Sequence, residues 1–270
     1  MKSFSVVICS IDAAKFQRAS ASWQRTLQSA ECEIVGIHDA RSLAEGYTRG
    51  LARARGDVIV FSHDDVDVVT PDAAGLIESH LERFDVIGIA GTTRLVGGDW
   101  HFAGDPYAFM LVISPDPATG KMTLIGKGAG PLIVPGIQAL DGVVFAARRG
   151  VAREIGFDSM TFDHFHLYDL DFTFRAFLAG KKLAVCRDLL LVHTSQGSFD
   201  ARWDMYRMRF EAKFAGQLAA PPQPRRKPRI LNAPLDSTLL NDPARRAELA
   251  RVETLQSMFA RLDSTTKTSS

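Results

Sequence analysis

The chain has 270 residues, 46% hydrophobic content and a formal net charge of +1 at pH 7. That length supports one large domain, or one domain with a small appendage. The near-balanced charge excludes a global basic field for nucleic acid or an anionic membrane surface, and no uninterrupted apolar run reaches membrane-spanning length.

Cys9, Cys32 and Cys186 are widely spaced and form no CxxC pair, so they read as reduced thiols packed as small apolar groups in a cytosolic protein. The opening residues, MKSFSVVICSIDAAKF, carry only a short apolar run before Asp12 and Lys15. They read as a first strand rather than a secretory core.

Phe4–Cys9 is the first predicted strand, and Ala13–Leu27 carries the spaced apolar residues of a helix. Glu33–Ile37 is a second strand that ends at His38–Asp39. Ser42–Arg55 follows as a helix, with Ser42 as N-cap and Glu45 three residues on as a capping box. Val58–Ser62 is a buried strand that runs straight into His63, Asp64, Asp65, Val66 and Asp67. Pro71 then opens a helix over Asp72–Phe84, and Asp85–Ala90 is a fourth strand. This alternation predicts an α/β fold with a parallel, doubly wound sheet. It aligns the strand ends at Ser10, Asp39 and Asp65 along one edge, a plausible nucleotide crevice.

After Gly91 the pattern changes. Gly97–Gly98, Gly104, Pro106, Pro115, Pro117, Gly120 and Gly126–Gly130 punctuate short strand-like runs that read as hairpins and loops. Lys127–Gly130 lacks the spacing and the terminal Lys–Ser/Thr of a phosphate-binding P-loop. Ile137–Arg149 returns to a strand with Asp141–Gly142 at its start, and Arg149–Ile155 is a short helix stopped by Gly156. Leu167–Phe172 opens a helix that Gly180 ends. Asp169 and Asp171 both sit in its first turn, where the helix dipole favours acids. Two residues apart, they point in different directions, so at most one faces a site. Lys181–Cys186 and Leu189–Val192 are closing strands, His193–Ser198 is a polar loop, and Trp203–Phe214 is an amphipathic helix. Residues 1–218 thus form the main domain. A Pro-rich, basic linker spans 219–241, and a C-terminal segment spans 242–270. In that segment Asp242–Leu262 is a helix capped by Asn241 or Asp242 with Pro243 at its start. That helix docks either on the domain or on a second subunit, as a possible homo-oligomer contact, and Ser264–Ser270 is expected to be disordered.

Three polar elements call for a common explanation: the acid-rich strand end, Asp169, and His193. An acidic, solvated turn explains the first equally well, and a hydrogen-bonded loop histidine explains the last. One arrangement uses all three. A divalent cation on Asp65 and His193 would neutralise the diphosphate of a nucleotide sugar, and Asp169 would deprotonate an acceptor hydroxyl. Carboxylates suit Mg²⁺ or Mn²⁺, and an imidazole tilts the choice toward Mn²⁺. Attack in line would invert the anomeric centre. Nucleotidyl transfer is a rival, although the segment after the first strand is not Gly-rich. A non-catalytic nucleotide-sugar-binding module and an assembly scaffold are two further rivals.

Five stretches give the chain a resemblance to a known family: SLAEGYTRGLARARGDVIVFSHDD (42–65), Gly88–Gly91 with Trp100, LDGVVFAAR (140–148), GFDSMTFDHFHLYDLDFTFRAFLAG (156–180) and HTSQGSFDARW (193–203). In this order and spacing the chain resembles family-two glycosyltransferases of the GT-A fold, and more narrowly a bacterial glycosyltransferase-like subgroup. The resemblance spans Phe4 to Phe214. It implies a mostly parallel central sheet flanked by helices, with a smaller hairpin-rich acceptor region. It also implies an inverting, metal-dependent transferase that uses a UDP- or GDP-type sugar donor.

His63–Asp64–Asp65 stands at the family's Asp-x-Asp position, which implies donor binding by these residues and a metal contact by Asp65, with Asp67 a competing ligand. Tyr168–Asp169 stands at the family's Glu–Asp pair, which implies that Asp169 is the catalytic base. Thr48 replaces a frequent Asn. Ser10 and Asp39 match donor-side positions by strand-end location, and Trp100, Asp141, Gly142 and His166 belong to the acceptor side. Arg148 or Arg175 pairs either with phosphate or with a protein carboxylate.

Overall fold

In a computed structural model, residues 2–265 are described apart from Pro117, Gln196, Ser198, Arg225, Pro228 and Ser237; for 261–265 the description covers the backbone alone. The expected disorder of the C-terminus, beyond residue 265, lies outside the described residues.

The N-terminal half follows the β-branched runs of the sequence. Strands β1 (Phe4–Cys9), β2 (Cys32–Ile37) and β3 (Val58–Ser62) alternate with helices α1 (Ala13–Thr26) and α2 (Leu43–Arg53). β1 pairs in parallel with both β2 and β3. Asp12 caps α1 by accepting from the Ala14 and Lys15 amides. Ser42 caps α2 by accepting from the Glu45 amide, while the Glu45 carboxylate turns to the Arg41 amide, so only half of the capping box forms.

β3 is followed by a short turn, β4 (Val66–Val68), α3 (Ala73–Leu81), β5 (Val86–Gly88) and β6 (Ala90–Thr92). The single strand expected over 85–90 is two strands, because the chain passes from one sheet to another at Ile89. Gly91 permits that crossing: a Cβ there would lie 2.4 Å from the Ala139 carbonyl oxygen. The middle of the chain supplies β7 (Ala108–Pro115), β8 (Met122–Lys127), β9 (Ile133–Pro135), β10 (Ala139–Leu140), β11 (Val144–Arg148) and α4 (Arg149–Ile155). Then come α5 (Tyr168–Leu178), β12 (Leu183–Cys186), β13 (Leu191–His193) and α6 (Ala201–Lys213).

The first sheet has the order β2-β1-β3-β11-β5-β12-β9. It is mostly parallel, with β11 antiparallel to β3 and β5, and β9 antiparallel to β12. This is the expected α/β architecture of a central sheet flanked by helices. The second sheet, β10-β6-β7-β13-β4, is extended by β8 beside β7. It supplies the hairpin-rich region.

The C-terminal segment belongs to the same body. Within the stretch read as a linker, β14 (Ile230–Pro234) pairs with β8, and the expected long helix is two helices, α7 (Pro243–Leu249) and α8 (Val252–Thr265). Asp242 caps α7, with Pro243 at its start. Leu249, Ala250, Leu255 and Phe259 are buried against Leu111, Ile113, Leu124, Leu190 and Val192 of the second sheet. The C-terminal helices therefore dock on their own chain. Arg187 is fully buried between the Phe109 and Phe259 rings, 5.1 and 4.5 Å from their centroids, and its Nη2 donates to the Lys127 carbonyl. Among the described residues no helix is long and apolar enough to cross a membrane.

Candidate active site

Because β1, β2 and β3 run in parallel, the residues following them gather at one sheet edge. Ser10 Oγ donates to Asp64 Oδ2 at 2.6 Å, and the Ser10 amide donates to the Ile37 carbonyl. Asp39, after β2, is solvent-facing and paired with Arg49 at 2.9 Å. Thr48 is turned inward along its own helix, donating to the Ala44 carbonyl.

The turn after β3 brings His63 and Asp65 against the end of β13. Asp65 Oδ1 lies 3.3 Å from His193 Nε2, and Asp65 Oδ2 accepts from the Ser195 amide at 3.0 Å. Burial alone would raise the Asp65 carboxyl, but the hydrogen bond and charge of His193, together with Ser195, outweigh it and hold the group well below the usual carboxylate range. His63, Asp65 and His193 each offer a ligand atom within 4.8 Å of the others. One carboxylate and two imidazoles at this spacing fit a divalent transition metal such as Mn²⁺.

Asp67 is a correction. Val66 and Val68 point into the core, so strand alternation sends Asp67 to the opposite side. There it pairs with Arg25 and with Arg246 of α7, each at 2.9 Å, and accepts from Ser22 Oγ. It anchors the C-terminal segment and is not among the metal-ligand group.

The catalytic-base candidate comes from α5. Leu167, immediately before that helix, adopts φ +61°, a strained conformation for a leucine that burial holds in place. It sets Tyr168 and Asp169 in the wall of the cleft. Tyr168 Oη is 2.9 Å from His63 Nε2 and donates to the Gly142 carbonyl, which links the first turn of α5 to the imidazole–carboxylate group. Burial, and then His193, lower the His63 imidazole from its ordinary value. Asp169 is pushed up to about 7, first by burial and second by the charge of Asp141. Gly142 is needed here, since a Cβ would lie 2.2 Å from Tyr168 Oη and 2.9 Å from Asp169 Oδ2. The other acid of the helix, Asp171, is fully buried between Arg175 at 2.9 Å and Lys213 at 2.5 Å.

Asp141 accepts from Trp100 Nε1 at 2.8 Å and from the Val143 amide at 3.0 Å. Trp100, Asp141, Gly142, His166 and Asp169 line one cavity of about 440 Å³, together with His63 and His193. Burial, and then His164, lower the His166 imidazole. Ser10, Asp39, Asp64 and Asp65 lie outside that lining, toward the strand ends. Arg148 serves carbonyls of Leu81 and Phe84 and the Asp85 carboxylate, and Arg175 holds Asp171 and the Ile155 and Gly156 carbonyls. Both arginines are structural. The sequence reading missed Lys127, His101 and Ser195 as cleft residues. The alternation Ile125–Lys127 at the end of β8 was the available signal for the first.

Residues 5–214 match the family described as a glycosyltransferase-like family, and the chain belongs to it. No curated protein matches the sequence. Among solved structures the chain is similar to the mannosyltransferase PcManGT from Pyrobaculum calidifontis in complex with GDP-Man and Mn²⁺. That match has 13% identity, a TM-score of 0.48, and coverage of 100% of this chain and 76% of the other. It is also similar to S. aureus TarS 1–349 in complex with UDP-GlcNAc, at 14% identity and TM-score 0.45, covering 81% of this chain and 68% of that one. These are distant likenesses, and the family assignment rests on the sequence match.

Proposed function

We propose that the protein is a metal-dependent, inverting glycosyltransferase that moves a sugar from a UDP- or GDP-type nucleotide sugar to an acceptor hydroxyl. The observation that carries this reading is Asp169: a buried carboxyl pushed up to about 7, lining the same cavity as His63 and His193, the two imidazoles grouped with Asp65. A base tuned near the working pH combines a useful ionised fraction with proton affinity. Asp169 takes the acceptor proton as the acceptor oxygen bonds to the anomeric carbon. The bond from that carbon to the diphosphate oxygen breaks on the opposite face, and the configuration inverts. A divalent cation on Asp65, His193 and His63 would stabilise the charge on the departing diphosphate. Ser10 and Asp64, joined at the β1 and β3 ends, and Asp39 at the β2 end border the nucleotide. Trp100, Asp141, Gly142 and His166 border the acceptor.

Three free cysteines fit a reducing, cytoplasmic setting, and the product would enter a surface polysaccharide or glycolipid. The deciding experiment is transfer or donor hydrolysis with a panel of nucleotide sugars and Mn²⁺. Asp65→Ala should weaken metal and donor binding, and Asp169→Asn should spare binding and lose turnover. Full turnover in Asp169→Asn overturns the assignment of the base.

A further inference from the structure

The floor of the cleft opposite Asp169 is built by β7 and β8. Their register pairs Met110 with Lys127 and Val112 with Ile125. Alternation turns Met110, Val112, Ile125 and Lys127 toward the cavity and sends Leu111, Ile113 and Leu124 beneath α8. A hydrophilic sugar acceptor would call for hydrogen-bonding side chains along such a floor. This one is apolar between Ser114 at one end and Lys127 at the other.

Lys127 Nζ lies 2.5 Å from His101 Nε2 and 5.5 Å from the centroid of the Trp100 ring. Among the described residues no carboxylate lies within ion-pair distance of it. Asp99 is engaged by His101 and Asp141 by Trp100 and Val143. An ammonium carries three donors, and among the described residues this half-buried one has a single hydrogen-bond partner, the His101 ring nitrogen, so it is incompletely compensated. Burial lowers Lys127 from its ordinary value, against the opposing charges of Asp99 and then Asp141. A hydroxyl would offset that desolvation weakly; an anion would offset it well.

The position separates this cation from the donor end. Val192 pairs with Ile113 and Lys127 with Met110, so His193 and Lys127 are offset by four positions along β7, about 13 Å by strand geometry.

We propose that the acceptor is an anionic amphiphile, whose apolar body lies on Met110, Val112 and Ile125 and whose phosphate or carboxylate is held by Lys127. This deepens the transferase reading and rests on it for the word acceptor. The binding site itself is tested without turnover.

Full-length protein is titrated calorimetrically, below micelle concentrations, with decyl phosphate, decyl β-glucuronide, neutral decyl β-glucoside and tailless ethyl phosphate. At least one of the two anionic decyl probes should bind about tenfold or more tighter than the glucoside, as expected for a charged hydrogen bond, and decyl phosphate should bind well above ethyl phosphate. Preference for the phosphate or for the glucuronide identifies the anion, and either supports the proposal. Lys127→Met should abolish the preference, and Lys127→Arg should retain it. Equal affinity for charged and neutral decyl probes, an unchanged preference in Lys127→Met, equal binding of ethyl and decyl phosphate, or no binding of the decyl set overturns it. Mn²⁺–UDP and Mn²⁺–GDP are titrated in parallel. If neither nucleotide binds while the anionic decyl probes do, the transferase reading falls and the amphiphile site stands. If a nucleotide binds while the decyl probes fail to discriminate, the amphiphile site alone falls.

Discussion

Asp65 Oδ1 lies 3.3 Å from His193 Nε2, joining the turn after the third strand to the end of the thirteenth. This pair, with His63, is the proposed cation site. Asp65→Ala or His193→Ala should weaken Mn²⁺ binding in the presence of UDP or GDP by about tenfold or more, since each removes one of few protein ligands. Calorimetric titration of Mn²⁺ checks it. Unchanged affinity in both variants would remove the site.

Asp67 gives the contrasting control. It is paired with Arg25 and Arg246, on the side of β4 away from the ligand group. Asp67→Asn should leave Mn²⁺ affinity within about twofold and cost about 1 kcal/mol or less of stability, because its carboxylate is substantially exposed. A thermal melt and the same titration report both quantities.

The Asp141–Asp169 pair predicts a pH profile. Asp169 works as a base only when ionised, so kcat/KM should rise through about pH 7. Asp141→Asn removes the repulsion that helps raise Asp169, so the rising limb should move to lower pH. It should move only in part, because burial is the larger cause. A limb that stays in place in this variant would detach it from Asp169.

The same carboxyl links activity to stability. Its folded value lies above the ordinary carboxylate value of about 4. The group therefore favours the folded state fully below about pH 4, and that contribution is lost as pH rises through about 7. Asp169→Asn abolishes this linkage. From pH 5 to pH 8 the wild-type Tm should fall more than the Tm of the variant, measured by scanning calorimetry in matched buffers.

Truncation after Ala220 would remove β14, α7 and α8 and uncover Leu111, Ile113, Leu124, Leu190 and Val192. The shortened chain should melt earlier or aggregate, where removal of a mere docking appendage would leave the domain intact. Light scattering with a thermal ramp separates the two.

The parallel strands were legible because their β-branched runs end in polar residues, and the approach of Asp65 to His193 and the place of Asp169 in the cleft were legible because the chemistry proposed for them restricts the residue types. Other features were carried by subtler signals. The passage between sheets turns on Ile89 alone, which leaves a continuous apolar run over 85–90. Asp67 resembles a ligand by its proximity in sequence to Asp65, but its two flanking valines imply the opposite face. β14 was hidden by its prolines and basic neighbours: Ile230–Pro234 is a solvent-facing edge strand, whose composition resembles a spacer.

The burial of Arg187 between Phe109 and Phe259 has a consequence for biosynthesis. The strand that presents Lys127 is backed by α8, which lies far downstream of it in sequence. A nascent chain still threaded through the ribosome past its parallel strands can arrange the β1–β3 edge early, since domains begin to fold as they emerge. The opposite wall gains its backing from α8 only after Phe259 has been made, so the two halves of the cleft are completed from stretches translated at different times.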